Sequence, residues 1–346
     1  FHAFLGGGNL PINYCGHLEA HAASTYFMSP FDEAAVLVID GGMGIFRGEG
    51  NKLTKIDMNG YGESYFNGKK INIPNYPGTG SLFHNVTSSF GFSNFDAGKT
   101  MALAAYAGDF DNTQIFPVGA DRHKDSLLNY RATIIWLKEN ICRDKNIVGE
   151  VGPLSKYWVN LARQAQNILE EDVIYLAEQA RRKAGSANLT YAGGVALSCI
   201  ANRKLFDRSI FDDIFIQPAS SDEGIPLGCA LYGYYARGGQ KRKIMESACL
   251  GKRYSEAELN LALKADGIKS KTSCHSEVAK LIAGGKIIAR VQGRSEYGPR
   301  ALGHRSILAD PRRENISDEL NVRVKHRERF RPFAPSVPFG WQDKYF

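Results

Sequence analysis

Several features are missing from this sequence of 346 residues, and two of the absences argue against whole classes of protein. No stretch approaches twenty consecutive apolar residues, so we expect no membrane-spanning helix. The six cysteines are scattered without a Cys-x-x-Cys pair, which argues against a cysteine-built zinc site and a disulfide framework, and favours the cytoplasm. An initiator methionine and a signal peptide are also absent, and we expect both ends to be cut from a longer chain.

Two common functional motifs are present only in incomplete form. The segment GHLEAHAAST places His17 and His21 four residues apart, but Leu18 stands where the zinc-protease motif H-E-x-x-H requires glutamate. The GKT of residues 98–100 lacks the glycine that a P-loop needs, because Ser93 occupies that position. The sequence therefore predicts neither a zinc protease of that kind nor a P-loop.

The composition is that of an ordinary globular protein with an uneven distribution of charge. Apolar residues make up 43% of the chain and charged residues 23%, and the length suffices for two or three domains. The net charge is +7, and the basic excess is concentrated over residues 290–331. Such a basic block is compatible with nucleic acid, a membrane surface or small phosphates as ligands, or with a merely solvated face.

Strands, glycine turns and helices follow one another in an order that predicts an α/β fold. Residues 33–42, EAAVLVIDGG, predict a buried strand that runs into a glycine turn, and residues 155–184 have the apolar spacing of a long helix. Strand, glycine turn and helix recur over residues 188–198 and again over 213–236. A polar, basic linker is expected over residues 237–253, before a second unit that contains the basic block.

Two histidines and two aspartates are candidates for a metal site. His17 and His21 share one face of a predicted helix. Asp40 ends the next predicted strand, and Asp222 occupies the equivalent end of a later one. Two imidazoles and two carboxylates make a mixed N/O site suited to Fe²⁺, Mn²⁺ or Zn²⁺. Because a histidine pair alone is more often structural or solvated, spacing by itself leaves the metal interpretation open.

Glycine turns and basic side chains supply further candidate groups. At Gly193 and Gly194 the missing side chains let backbone amides approach a nucleotide, and Asp222 or Glu223 is placed to contact a metal or a ribose, although many such turns bind nothing. The basic block alternates cations with Gly, Pro and Ser instead of following helical spacing, which favours a phosphate pocket over a nucleic-acid surface. Its candidate cations are Arg294, Arg300, Arg305, Lys325, Arg327 and Arg331.

These segments, in this order, resemble the O-carbamoyltransferases of antibiotic and nodulation-factor biosynthesis. The matching segments include HLEAHAAST, NLTYAGGVALSCIANRKLF, QPASSDEGIPLGCALYGYY, GRSEYGPRALGHRSILADPR and VKHRERFRPFAPS. The resemblance implies an ASKHA domain (actin-like ATPase, RNase H-like) over residues 1–240 and a smaller YrdC-like α/β domain over residues 241–346. It also implies that the first domain lacks its N-terminal part and that the second lacks its C-terminal part.

The chemistry that this resemblance implies is a relay. The YrdC-like domain would form carbamoyl adenylate from carbamoyl phosphate and ATP with Mg²⁺, and the ASKHA domain would transfer the carbamoyl group to a hydroxyl of a small-molecule natural product. The implied metal is Fe²⁺, with Mn²⁺ or Zn²⁺ as alternatives, held by His17, His21, Asp40 and Asp222. The implied cofactor-binding residues are Gly193, Gly194, Asp222, Glu223 and Ser306, and the implied catalytic residues are Arg300, Arg305, Lys325 and Arg327. Lys99 falls in another matching segment, near the acceptor pocket, without an assigned role.

Two alternatives remain open. A tRNA threonylcarbamoyl-transfer enzyme shares the metal-bearing fold and would account for the positive charge, but the domain order and the GPRALGHRS segment argue against it. The other alternative is a non-catalytic nucleotide- and metal-binding protein. For the carbamoyltransferase we expect no nucleic acid and no membrane as partner. The sequence leaves open the acceptor, the catalytic base, the metal and the oligomeric state, a homodimer included.

Overall fold

The computed structural model describes most of the chain, in two units. The described residues are 13–59, 61–66, 69–74, 78–108, 114–118, 130–141, 155–271 and 273–345. The units are Phe1–Glu246 and Ser247–Phe346, so the boundary falls inside the predicted linker 237–253 and slightly beyond the predicted domain boundary after residue 240. The activities of the two domains stay predictions.

The strands and helices of the described residues are as follows. The strands are β1 Glu33–Ile39, β2 Met43–Glu49, β3 Lys52–Asn59, β4 Tyr61–Phe66, β5 Lys69–Pro74, β6 Asn188–Ala192, β7 Asp213–Ile216, β8 Ile288–Val291 and β9 Arg305–Leu308. The helices are α1 His17–Tyr26, α2 Thr79–Ser89, α3 Ala97–Ala104, α4 Arg131–Asn140, α5 Lys156–Ala184, α6 Cys199–Asp207, α7 Ile225–Ala236, α8 Glu256–Ala265, α9 His275–Ala283, α10 Ile316–Glu319 and α11 Gln342–Tyr345. No helix within these ranges is long and apolar enough to cross a lipid bilayer.

The first unit is built on a five-stranded mixed sheet in the order β3-β2-β1-β6-β7. Strand β2 runs antiparallel to β1 and β3, whereas β1, β6 and β7 are parallel to one another. In the RNase H-like fold, three antiparallel strands come first in the chain, and two later strands then extend the sheet in parallel from the first strand. Here β1, β2 and β3 are the antiparallel strands, and β6 and β7 are the two added in parallel. The predicted α/β class with an RNase H-like first domain is therefore confirmed.

Helices cover both faces of this sheet. On one face, Ala34, Val36 and Val38 of β1 pack with α1 and with Tyr235 of α7 in one hydrophobic cluster. On the other face lies α5, because Arg47, which pairs with Ala35, donates a hydrogen bond to the last carbonyl of that helix. Burial on both faces explains why β1 reads as a continuous apolar run rather than as an alternating one.

The long helix predicted over residues 155–184 is confirmed as α5, Lys156–Ala184. It ends at Gly185, whose φ of 70° places it in the left-handed conformation that glycine adopts most readily after a helix. Both later strand–turn–helix predictions are also confirmed, as β6 with α6 and β7 with α7.

The second unit has one described strand pair, in which β8 and β9 are antiparallel. A short helix, α10, continues into a π-helical segment, Leu320–Lys325. The assignment of this unit to the YrdC-like fold stays a prediction from the sequence resemblance.

Candidate metal centre and phosphate-binding segments

Helix α1 carries both candidate histidines and is packed closely against α7. A Cβ atom at Gly228 would lie 1.9 Å from the carbonyl oxygen of Ala20, so glycine is needed where the two helices approach. His17 and His21 are one turn apart and project from the same face of α1. The His21 side chain is fully buried, whereas that of His17 is 40% exposed.

The two aspartates follow the carboxyl ends of two parallel strands of the sheet. Asp40 comes directly after β1, and Asp222 begins a short 3-10 turn between β7 and α7. A Cβ atom at Gly80 would lie 2.2 Å from the carbonyl oxygen of Asp40, so α2 begins in direct contact with the end of β1. Carboxyl ends of parallel strands meet at one edge of a sheet, which is where open α/β sheets bind ligands.

The structure brings the four side chains together. Asp40 Oδ2 lies 2.8 Å from His17 Nε2 and 3.1 Å from His21 Nε2. Asp222 Oδ1 lies 3.6 Å from His17 Nε2 and 3.5 Å from His21 Nε2. The four donor atoms all lie within 4.8 Å of one another.

These separations are those of ligands that share one metal ion. Protein nitrogen and oxygen ligands lie about 2.0–2.2 Å from a divalent transition metal, so two ligands at adjacent positions around it are about 3–3.5 Å apart. Two carboxylates supply negative charge, and the imidazoles suit Fe²⁺, Mn²⁺ and Zn²⁺ alike. The exposed side chains of His17 and Asp222 leave one side open to a substrate. The residues present therefore fit a divalent metal ion.

The electrostatics of the cluster also favour a cation. Burial lowers the pKa of His21, but its contacts with Asp222 and Asp40 outweigh that effect and raise the pKa to about 9. Burial raises the pKa of Asp40, yet the hydrogen bonds from His17 and His21 hold it well below its usual range. The hydrogen bond with His21 lowers the pKa of Asp222. A proton on His21 thus supplies the positive charge that a metal ion would supply.

The glycine turn after β6 lies against the same edge of the sheet. Gly193 has a φ of 96°, and a Cβ atom there would lie 2.2 Å from the carbonyl oxygen of Ile39. Its N–H donates to the carbonyl of Ser220, at 2.7 Å. A Cβ atom at Gly194 would lie 3.2 Å from Asp40 Oδ1, which places Gly194 beside the metal cluster. Glu223 is exposed next to Asp222.

Lys99, to which the sequence assigned no role, lies in the first turn of α3, and a short 3-10 helix, Asn94–Asp96, directly precedes that turn. Its ammonium group is 3.2 Å from the Asp96 carboxylate and 4.9 Å from the centre of the Phe92 ring. These contacts fix the side chain without assigning it a chemical function.

In the second unit, Arg305 and Ser306 lie on β9 and are held by backbone groups. The Arg305 guanidinium donates to the carbonyls of Gln292 at 3.1 Å, His304 at 2.9 Å and Gly293 at 3.3 Å. The hydroxyl of Ser306 accepts the N–H of Gly303, at 2.9 Å. Arg305 therefore joins β9 to the segment after β8. Arg300 is exposed in the turn before β9.

Lys325 and Arg327 flank a left-handed residue at the end of the π-helical segment. His326 has a φ of 48°, an uncommon conformation for a residue other than glycine, and π-helical turns often occur at functional sites. Arg327 lies over the ring of Phe333, with 4.7 Å from guanidinium carbon to ring centre. The side chain of Lys325 is exposed and forms no ion pair or hydrogen bond with any residue that the structure describes.

Glu296 was not among the residues that the sequence marked as candidates, yet it organises the turn before β9. Its Oε1 accepts the N–H groups of Leu302 at 2.8 Å, His304 at 2.8 Å and Arg305 at 3.2 Å. Burial raises the pKa of Glu296, but the backbone hydrogen bonds outweigh it and lower the pKa to about 2. The sequence held one signal for Glu296, since it is an acidic residue two positions before a Gly-Pro pair in a basic segment.

Asn321 was missed as well, and it holds the segment that follows the π-helical turn. The side chain is fully buried and donates to the carbonyls of Arg329 at 3.2 Å and Arg331 at 2.8 Å. Its Oδ1 accepts a hydrogen bond from Arg327 Nε, at 2.7 Å. No sequence pattern marks this asparagine, because its partners come from a loop without periodicity.

Fold and site together define the class: an α/β protein with an RNase H-like sheet, whose carboxyl edge carries a mixed histidine–aspartate cluster of the kind that binds a divalent metal. Family models sharpen this description. The model described as carbamoyltransferase N-terminus matches residues 9–231, and the one described as carbamoyltransferase C-terminus matches residues 279–346. The chain belongs to the carbamoyltransferase family.

Known relatives agree with this membership. The chain is 33% identical to nodulation protein NolO of Bradyrhizobium diazoefficiens, over 93% of this chain and 58% of that protein. It is 29% identical to the 3'-hydroxymethylcephem-O-carbamoyltransferase of Amycolatopsis lactamdurans, over 92% of this chain and 58% of the enzyme. The chain thus spans about half the length of the curated relatives it matches. The solved structure of T. kodakarensis HypF matches at 13% identity with a TM-score of 0.36, over 65% of this chain and 36% of that one, a likeness too low to support a functional comparison.

Proposed function

We propose that this protein is an ATP-dependent O-carbamoyltransferase that forms carbamoyl adenylate and transfers its carbamoyl group to a hydroxyl of a small-molecule natural product. The observation that carries the proposal is the convergence of two histidines and two aspartates at the carboxyl edge of the sheet, in a chain of the carbamoyltransferase family. The nature of the acceptor rests on the relatives, one of which is named for a hydroxymethylcephem.

The first unit is proposed as the transfer domain. A divalent ion, Fe²⁺ by resemblance, bound by His17, His21, Asp40 and Asp222 would polarise the carbonyl of the carbamoyl group. The open side formed by His17 and Asp222 admits the adenylate. Gly194 keeps the floor of the site clear of side-chain atoms next to Asp40, so that the nucleotide can approach the backbone.

The second unit is proposed as the domain in which water cleaves carbamoyl phosphate to carbamate and phosphate. A carbamate oxygen then attacks the α-phosphorus of ATP, bound with Mg²⁺, so that carbamoyl adenylate forms and pyrophosphate leaves. Both reactants are anions, so the main requirement is positive charge at fixed positions. Lys325 supplies an uncommitted ammonium group, and Arg300, Arg305 and Arg327 supply guanidinium groups near the turn and the loop. Ser306 lies beside Arg305 on β9 and contributes a hydroxyl.

Release of pyrophosphate from ATP that depends on carbamoyl phosphate tests this proposal. We expect release by the wild-type protein and at least a tenfold loss in Lys325→Ala, because one phosphate-facing charge is removed. Lys269→Ala, which removes another exposed lysine of the same unit, is the matched control and should retain full release.

Two other outcomes would favour one of the alternative functions. If the metal-loaded protein binds ATP but releases no pyrophosphate, a non-catalytic nucleotide- and metal-binding protein becomes the better description. If binding of tRNA with a steep salt dependence accompanies the loss of this activity, the threonylcarbamoyl-transfer alternative gains support.

A further inference from the structure

Asp172 is a buried acidic residue of α5 that the proposed chemistry does not use. It is fully buried, and its Oδ2 accepts two hydrogen bonds from hydroxyl groups. The donors are Thr79 Oγ1 and the Tyr130 hydroxyl, each at 2.6 Å. A carboxyl group buried in this way is stabilised by its donors, and the loss of one leaves part of its hydrogen-bonding capacity unsatisfied.

Thr79 is the first residue of α2, so Asp172 anchors the N-terminus of that helix to α5. An acidic group at a helix N-terminus is also favoured by the helix dipole. The distance in sequence between the two residues is large, and the contact therefore fixes how the whole start of α2 lies on the rest of the unit.

The same start of α2 supports the turn that follows β1. The N–H of Gly78 and the hydroxyl of Ser81 both donate to the carbonyl of Gly41, each at 3.0 Å. Gly80 touches the carbonyl oxygen of Asp40 so closely that a Cβ atom would lie 2.2 Å from it. Three contacts, from Gly78, Gly80 and Ser81, therefore hold Asp40 and Gly41 against the start of α2.

We infer that Asp172 and Thr79 are positioning residues for Asp40: through the first turn of α2 they fix the backbone that presents this carboxylate to the metal cluster. The inference rests on the proposed metal site for its functional meaning, but not for its structural content. The described hydrogen bonds of the Asp172 carboxylate go to Thr79 and Tyr130, and its effect on Asp40 passes through the hydrogen bonds and steric contact of α2. A ligand held by its backbone in this way needs little reorganisation when the ion binds.

Threonine substitutions in α2 test this inference with a matched control in the same helix. Thr79→Val removes the hydroxyl that binds Asp172 and keeps the shape of the side chain. Thr79→Ser keeps the hydroxyl and should restore the wild-type behaviour. Thr87→Val removes another fully buried hydroxyl of α2, one that bonds to Phe83 and Thr100 instead of to Asp172.

The first readout is hydrogen exchange of the metal-free protein over the turn after β1, residues 39–43. The loss of one buried hydrogen bond corresponds to about a tenfold change in an opening equilibrium, so we expect about tenfold faster exchange in Thr79→Val. Asp172→Asn, whose single amide oxygen can still accept both hydroxyl hydrogen bonds but carries no charge, should give a smaller increase. Wild-type exchange in Thr79→Val, or an equal increase in Thr87→Val, would overturn the inference.

The second readout is the affinity for Co²⁺, measured by its visible absorption. Thr79→Val should weaken binding several-fold, Thr79→Ser should recover it, and Thr87→Val should match the wild type even where its unfolding temperature falls by the same amount. Failure of the wild type to bind Co²⁺ would count against the proposed metal site, whereas the exchange experiment would still decide whether Asp172 and Thr79 position Asp40.

Discussion

The two units position their candidate functional groups by different physical means. In Phe1–Glu246 the candidate ligands His17 and His21 lie on α1 and Asp40 follows β1, and both elements are buried along most of their length, whereas Asp222 comes after the partly exposed strand β7. In Ser247–Phe346 the buried apolar side chains among the described residues are Leu320 and Phe330. There the candidate cations lie on a turn, on the short strand β9 and at the end of the π-helical segment, next to two polar side chains that bond to several backbone groups, Glu296 and Asn321.

The difference teaches how each kind of site should respond to change. A site built on a packed sheet depends on shape, because close contacts fix the backbone and a single added atom must displace it. We call Glu296 and Asn321 polar hubs, because each is a single side chain that bonds to several backbone groups. A site held by polar hubs depends on hydrogen-bond donors and acceptors, since one side chain replaces several backbone hydrogen bonds that secondary structure would otherwise supply. We therefore expect the first unit to be sensitive to an added side-chain atom, and the second unit to be sensitive to the loss of a hydrogen-bonding side chain.

The largest effect is expected from removing one of the four candidate metal ligands of the first unit. His21→Ala should lower the affinity for Co²⁺ by about 1,000-fold, since each ligand supplies about a quarter of the binding free energy of such a site. Absorption titration measures the change. His84→Ala removes an exposed histidine from the same unit and should leave the affinity unchanged. Equal affinities for the two variants would exclude the cluster as the binding site.

Next in size is a steric change beside that site. Gly193→Ala should lower the free energy of unfolding by about 3 kcal/mol, because it combines a left-handed φ with a clash against the Ile39 carbonyl. Thermal and denaturant unfolding measure it. Gly98→Ala, in α3 with open space around its Cβ, should instead stabilise by about 0.5–1 kcal/mol. An unchanged free energy of unfolding in Gly193→Ala would show that close backbone packing does not fix this edge of the sheet.

The polar hub of the second unit should respond to a smaller loss. Asn321→Ala removes three side-chain hydrogen bonds and leaves Arg327 Nε without its acceptor, so the free energy of unfolding should fall by about 2 kcal/mol. Asn315→Ala, at an exposed position whose side chain caps no N–H group, should change it by less than about 0.5 kcal/mol. Similar unfolding midpoints for both variants would contradict the role of Asn321 as a hub.

The smallest effect per step, and the clearest contrast, concerns pH, because one titrating group changes the free energy of unfolding by at most about 1.4 kcal/mol per pH unit. In the metal-free protein the pKa of His21 is raised to about 9, so its contribution to stability is present below its usual pKa of 6.5 and is lost as the pH rises through 9. The pKa of Glu296 is lowered to about 2, so its contribution is present above 4.5 and is lost as the pH falls through 2. Unfolding curves across pH should show opposite slopes, which His21→Ala and Glu296→Gln should each remove. If the pH dependence of stability persists in the variant that lacks the group, that dependence arises from another titrating group.

Much of the first unit was predictable, because its signals are local. Residues 155–184 repeat apolar side chains at helical spacing and end at a glycine, which fixed the longest helix within one residue. The four-residue spacing of His17 and His21 and the strand ends at Asp40 and Asp222 were enough to nominate the metal cluster. The arginines of the second unit were nominated too, but the contacts that occupy Arg305 and Arg327 were not, since they come from backbone carbonyls of irregular segments.

The sequence by itself determined which side chains face a core, where strands end and which family the chain belongs to, because periodicity and motif order are properties of neighbouring residues. Tertiary structure alone decided the distances in the cluster, the contact of Thr79 with Asp172 and the hubs at Glu296 and Asn321. Those contacts join residues far apart in the chain, and they depend on how closely two backbones approach. That approach is set by packing and by individual glycines, and no local pattern records it.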